Sequence, residues 1–405
     1  MPAQPAAPPP NHLPPNPLRN VMLLTLCQAL FLSGNSIFAT ISSLAGQLLA
    51  DNPALATLPI TTGIIGTALA TIPATLIMRA IGRRYGFMLG ALLSVLGAVG
   101  AVVATRQGSF ELLLIAALFS GSYMAFGQLY RFAAAEVAPT FRARAISWTL
   151  AGGVVAAFIG PEVAKVAVVE GAENPYASAY MAMAAFPALT LVVLLFLRLP
   201  PMGGSEAGGR ERPLWHIVRQ PVYLVAVLCG MISYAVMNLL MTGTPLAMIG
   251  SGHPFSNAAT VIQWHIVGMF LPSFITGSLI SRYGGLPVML VGAVLDLVAL
   301  GIGLQGTAMW HFWGALVAVG VGWNFLFIGA TTILTTTYDP REATGAQALN
   351  EFLVFGTMAL SSISSGALLH YMGWNMILYT AFPLVLLAML AVGVLLYFRG
   401  VMRVG

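Results

Sequence analysis

Apolar residues gather into long runs separated by short polar breaks, near 19–45, 56–79, 86–104, 111–134, 144–168 and 176–197, then 220–243, 259–281, 287–304, 310–333, 344–370 and 374–398. A helix needs about 20 residues to cross a hydrocarbon core of about 30 Å, so each run is long enough to span a bilayer. Lipid offers unpaired backbone groups no partner, and the runs are too long and unbroken for barrel strands. Twelve transmembrane helices are predicted. The polar, Gly-rich stretch PPMGGSEAGGRERP (200–213) divides them six and six, with the composition of a flexible linker. The halves also repeat. TLIMRAIGRRYG (75–86) and GSLISRYGGLPV (277–288) align at an offset that puts Gly82 on Gly284, and PTFRARAI (139–146) aligns with PREATGAQ (340–347) at nearly the same offset. Such repetition marks a duplication. The expected architecture is an all-α integral membrane protein of two pseudo-symmetric six-helix bundles. Its parts are a Pro-rich disordered tail (1–18), a first bundle (19–198), a linker (199–219), a second bundle (220–398) and a short tail (399–405).

Charge sets the orientation. Of the seventeen basic residues, all but Arg106 and Lys165 fall on or near one side, among them Arg79, Arg83, Arg84, Arg142, Arg210 and Arg282, while Asp51, Glu111, Glu170 and Glu173 sit in or beside loops of the other. Cytoplasmic loops collect Lys and Arg, so both termini are placed in the cytoplasm. Composition agrees, with 58% hydrophobic and 7% charged residues, too few charges to cover a soluble chain of 405 residues. The net charge of +5 is dispersed, which argues against a nucleic-acid partner. Cys27 and Cys229 lie within apolar runs, so neither a disulfide framework nor a metal site is expected. No nucleophile–base pairing, phosphate loop or dinucleotide fingerprint is present, so the chain reads as no enzyme, needs no cofactor and is not ATP-driven.

The repeated loops resemble those of the major facilitator superfamily, and the resemblance runs from about residue 19 to 398. That family's loop after its second helix reads roughly G-x-x-x-D-R-x-G-R-R. Gly82, Arg83 and Arg84 match its last part, and Gly277, Arg282 and Gly284 keep part of the second copy. Glu136, Pro139, Arg142 and Arg144 are similar to the pattern after helix four, and AGGVVAAFIGP is similar to the Gly-Pro element of helix five. Departures are Arg79 and Ala80 in place of Asp-Arg, Ser281 in place of the second Asp, Ala117 where a basic residue is frequent, and Glu162, Val163 and Ala164 after Pro161. The resemblance implies a central cavity lined by helices one, four, seven and ten that opens to each side in turn.

Ionisable groups at membrane depth are expensive unless paired, so each is a candidate. Proton-coupling candidates are Glu162, Asp296 and Glu351, each with a structural alternative: an ion pair to Lys165 three residues on, an acid held inside one bundle, and a carboxylate favoured by a helix N-terminus. Substrate-binding candidates lie at helical spacing: Gln28 and Asn35; Gln128 and Arg131; Tyr234, Asn238 and Thr242; Trp323 and Asn324. The competing reading is hydrogen bonding between helices. Gating candidates are Arg79, Arg83, Arg84, Arg282, Glu342, Lys165 and His265. Arg79 stands where the resemblance puts an acid facing helix eleven, and that helix begins acidic, which suggests a charge-swapped latch of Arg79 with Glu351 or Glu342.

The expected function is proton-coupled secondary transport of a small organic solute across a bacterial inner membrane, by a monomer. Export is slightly favoured by the Gly-Pro element. Uptake of a nutrient such as a vitamin is the alternative, and a non-transporting sensor or scaffold is the alternative of another class.

Overall fold

The computed structural model describes residues 16–199, 213–338 and 342–404. The tail before residue 16, most of the 200–213 linker and the loop position Arg341 lie outside the described residues. Twelve helices are long and apolar enough to span a membrane among the described residues. In the first bundle they are α1 (Pro17–Leu49), α2 (Leu58–Ile81), α3 (Arg83–Gln107), α4 (Phe110–Val137), α5 (Arg142–Ala167) and α6 (Ala177–Leu195). In the second they are α7 (Pro221–Gly250), α8 (Phe255–Tyr283), α9 (Gly285–Gly303), α10 (Met309–Leu334), α11 (Ala343–Met372) and α12 (Trp374–Val404).

The duplication is visible in the backbone. Gly82 between α2 and α3 has φ 89°, and its counterpart Gly284 between α8 and α9 has φ 87°. Both turns need the left-handed conformation that only glycine adopts without cost. Helices α4 and α8 are each interrupted, at Gln128–Leu129 and at Leu271–Pro272.

Small residues let the helices approach closely. A Cβ on Gly121 of α4 would fall on the Gly63 carbonyl of α2, and one on Gly66 would fall on the Leu118 carbonyl. Gly152 and Gly160 of α5 abut the backbone of α1 at Thr25 and Ser33, 2.9 and 2.7 Å from where their Cβ atoms would lie, while Gly153 faces Leu32 and Phe270. The glycines of the helix-five Gly-Pro element therefore have a packing role.

The bundles meet along α2–α11, α1–α7 and α5–α8. One apolar core lies wholly in the second bundle and one, around Leu24, Phe87 and Tyr130, wholly in the first. A third joins Ile37, Ile41 and Leu44 of α1 to Leu246 of α7 and Phe255 of α8, at the end away from the termini. Polar ties across the bundles occupy that end too. Thr57 donates to the Ser362 carbonyl at 2.7 Å, Lys165 to Gln263 Oε1 at 3.3 Å, and the Phe255 N–H to Glu170 at 3.1 Å. The bundles are thus tied to each other at the far end.

Candidate functional site

Helix α1 sets the first wall of the cavity. Thr25, Ala29 and Ser33 meet α5, and Phe31 meets Gly127 of α4. Gln28 and Asn35, seven residues apart and so on one face, occupy the strip between those contacts. Gln28 is 7% exposed and its Oε1 has no partner. Asn35 and Gln128 are half-buried, Gln128 at the break in α4. Arg131 follows the break, half-buried, with its guanidinium 4.9 Å from the Phe132 ring and its Nε unpartnered.

The facing wall is aromatic. On α10, Gly322 faces α9 and Gly320 faces α8, leaving Trp323 and Phe327 on the strip between α8 and α7. Trp323 stacks on Phe327 with ring centroids 5.2 Å apart and planes 15° apart. Tyr234 of α7 stands perpendicular to both, 5.3 and 4.9 Å away. The Trp323 Nε1 is buried and unpartnered. Arg131, Tyr234 and Glu351 lie within electrostatic reach of one another, which brings α4 of one bundle opposite α7 and α11 of the other. No N–O contact within 4 Å joins Arg131 to Glu351, whose carboxylate accepts from Asn350 at 3.4 Å.

Other candidates are turned into the bundles. Asn238 donates to the Met358 carbonyl and to Ser361 at 3.0 and 3.1 Å, and Thr242 donates to Asn238 at 3.3 Å, so this part of the α7 stripe fastens α11. Asn324, fully buried, joins α8 through Thr276, Met269 and Ser273, each at 2.6 Å. These amides sit on helices that line the cavity but point sideways, because a buried amide without partners costs more than a lost cavity contact. His265 shares a 2.7 Å hydrogen bond with the Leu316 carbonyl of α10 and is fully buried within the second bundle. Asp296 is buried against Gly322 of α10 with both oxygens unpartnered, inside one bundle and away from the interface.

The charged loops also resolve. Arg83 pairs with Glu136 and Arg84 donates to the Leu195 carbonyl at 2.7 Å, so both brace the first bundle internally. Arg79 is exposed and forms no ion pair among the described residues, and Arg282 is exposed over the Tyr283 ring. The swapped latch is therefore not formed in this state: Glu351 lies deeper and faces Arg131 instead. Glu342 is buried at the start of α11.

At the far end Lys165 bridges Glu162 at 2.6 Å and Gln263 of the other bundle. Thr57, Glu170, Gln263 and Ser362 complete the cross-bundle ties at that end and carry no pattern in the sequence that marks them. Replacing Thr57 by Val removes one buried cross-bundle hydrogen bond, about 0.5–1.5 kcal/mol. It is expected to raise the open-to-closed ratio of the far end by about two- to tenfold. Distance distributions between spin labels on the α5–α6 and α7–α8 loops measure this, and an unchanged distribution would exclude Thr57 from holding that end closed.

Comparison with known proteins places this arrangement. A sequence profile of the Major Facilitator Superfamily matches residues 24–271. The chain is 41% identical over 374 residues to the riboflavin transporter RfnT of Brucella anthropi, covering 92% of this chain and 94% of that one. It is 28% identical over 351 residues to the uncharacterized MFS-type transporter YddS of Bacillus subtilis, covering 81% and 79%. The crystal structure of a D-xylose-proton symporter superposes with a TM-score of 0.73 at 14% identity, over 92% of this chain and 96% of that one. Twelve spanning helices in two duplicated bundles thus coincide with sequence similarity over most of the length: the chain is a multi-pass membrane protein that belongs to the major facilitator superfamily of small-molecule transporters.

Proposed function

We propose that this transporter takes up riboflavin, or a flavin very close to it, across a bacterial inner membrane, driven by protons. The observation that carries the reading is the 41% identity over 92% of the chain to a protein named as a riboflavin transporter. The site supports it. A flat, uncharged tricycle with a polar edge suits a cleft that combines an aromatic corner (Tyr234, Trp323, Phe327) with unpartnered polar atoms on Gln28 and Trp323. Uptake of a vitamin accordingly takes precedence over export. The termini are assigned to the cytoplasm because Arg83, Arg84, Arg144, Arg219 and Arg282 lie at their end of the bundles and Asp51, Glu111, Glu170 and Glu173 at the other.

Coupling is assigned to Glu351 with Arg131. They lie on opposite bundles toward the terminus-bearing end, so closing that end draws them together, and protonating the carboxylate releases them. A partly desolvated pair holds a conformational equilibrium that an exposed pair such as one at Arg79 would hardly move. Asp296, within one bundle, has no such leverage.

Radiolabelled riboflavin uptake by a riboflavin-requiring bacterial strain expressing the chain tests the function. Accumulation above the vector control is expected, and uptake equal to that control would refute it.

A further inference from the structure

Two of the unpartnered buried atoms differ in chemical sense. Gln28 Oε1 only accepts a hydrogen bond, and Trp323 Nε1–H only donates one. Both residues are 7% exposed, so water serves neither atom freely, and a buried polar group left unpaired is costly. Their depth matches. Gln28 is eleven residues beyond Pro17, where α1 begins, and Trp323 is eleven residues before Leu334, where α10 ends. At 1.5 Å per residue each lies about 16 Å in from the terminus-bearing end. They also belong to opposite bundles on the same side of their interface, since α1 packs on α5, α10 packs on α8, and α5 meets α8 across the bundles.

We propose that Gln28 and Trp323 form a two-point hydrogen-bonding clamp for the imide edge of a flat heteroaromatic ring, in which a ring N–H sits between carbonyl groups. The N–H donates to Gln28 Oε1, and a neighbouring carbonyl accepts from Trp323 Nε1. The perpendicular pair formed by Tyr234 and Phe327 sets the plane of the ring. This deepens the flavin reading and rests on it: the isoalloxazine of riboflavin has such an edge at N3, flanked by two carbonyls. The clamp makes the ring system, rather than the ribityl chain, the part that is recognised. Because the clamp draws one residue from each bundle, a ligand held by both atoms also ties the bundles together at that depth.

The test is equilibrium binding to the purified full chain, followed by quenching of flavin fluorescence. Wild type is expected to bind riboflavin and lumiflavin, which keeps the ring and lacks the ribityl chain, within about threefold of each other. Riboflavin methylated at N3 has lost the donated hydrogen and is expected to bind about ten- to hundredfold more weakly, since a site built around a hydrogen bond strongly rejects an analogue lacking it. In Gln28→Leu the penalty for the N3-methyl group should vanish, and in Trp323→Phe both ligands should weaken together by about tenfold, one unit of log affinity. The wild-type ligand series stands even where a variant fails to fold. Equal binding of riboflavin and its N3-methyl derivative, or riboflavin binding without lumiflavin binding, would overturn the clamp while leaving flavin transport intact. Binding of no flavin at all would overturn both.

Discussion

Glu351→Gln is expected to abolish accumulation of substrate against its gradient while leaving exchange of internal for external substrate at near wild-type rates. The carboxylate is half-buried on α11, with Asn350 as its hydrogen-bond donor, and its opposite charge is Arg131 on α4 of the other bundle. A permanently neutral Gln cannot exchange a proton, so the cycle loses the step that links proton entry to closure of the terminus-bearing end. Exchange needs only reorientation of the loaded carrier and survives. Arg131→Met should likewise abolish accumulation. It also leaves the Glu351 carboxylate without the opposite charge in its reach. The double variant should then be less impaired than the sum of the two, since neither charge is stranded. Concentrative uptake and counterflow in proteoliposomes with an imposed pH difference measure both halves. Full accumulation by Glu351→Gln would move the coupling site elsewhere, with Asp296 next to be tried. Independent effects of the two substitutions would leave Arg131 as a cation of the cavity with no role in coupling.

The second large effect is on folding. Gly121→Val should prevent recovery of folded protein or lower its stability by about 3 kcal/mol or more, at the upper end of overpacking costs. Its Cβ would meet backbone, the carbonyl of Gly63, which no side-chain rotation can clear. The same contact positions two cross-helix hydrogen bonds, Thr67 to the Gly121 carbonyl at 2.8 Å and Ser122 to the Gly66 carbonyl at 3.5 Å, and separating α2 from α4 breaks both. Gly301→Ala on α9 is the control. Nothing lies within 4 Å of its Cβ position, so it should be neutral or gain up to about 1 kcal/mol from helix propensity. Thermal unfolding in detergent separates the two, and equal midpoints would show that the α2–α4 approach tolerates a side chain.

The sequence alone determined the membrane setting, the number of helices and the duplication. Hydrocarbon enforces a length and an apolar composition that survive in a linear string, and a loop repeated at one offset keeps its glycine because both copies need positive φ, at Gly82 and at Gly284. It also named Gln28, Arg131, Tyr234, Trp323 and Glu351, since polar groups within apolar runs are rare enough to stand out. It did not determine which way they point. Asn324 follows Trp323, and one residue along a helix, about 100°, turns its side chain into α8, while Asn238, one turn from Tyr234, is taken up by Met358 and Ser361 of α11. Only the packed neighbours decide that outcome. Partner choice belongs to the tertiary structure for the same reason: Glu351 lies within electrostatic reach of Arg131, and Arg79 forms no ion pair among the described residues. Thr57, Glu170, Gln263 and Ser362 tie the bundles together through a backbone carbonyl, a helix N–H and single side-chain contacts between segments far apart in the chain. Such contacts leave no periodic trace, because they are made by the docking of two bundles and not by either helix that supplies them.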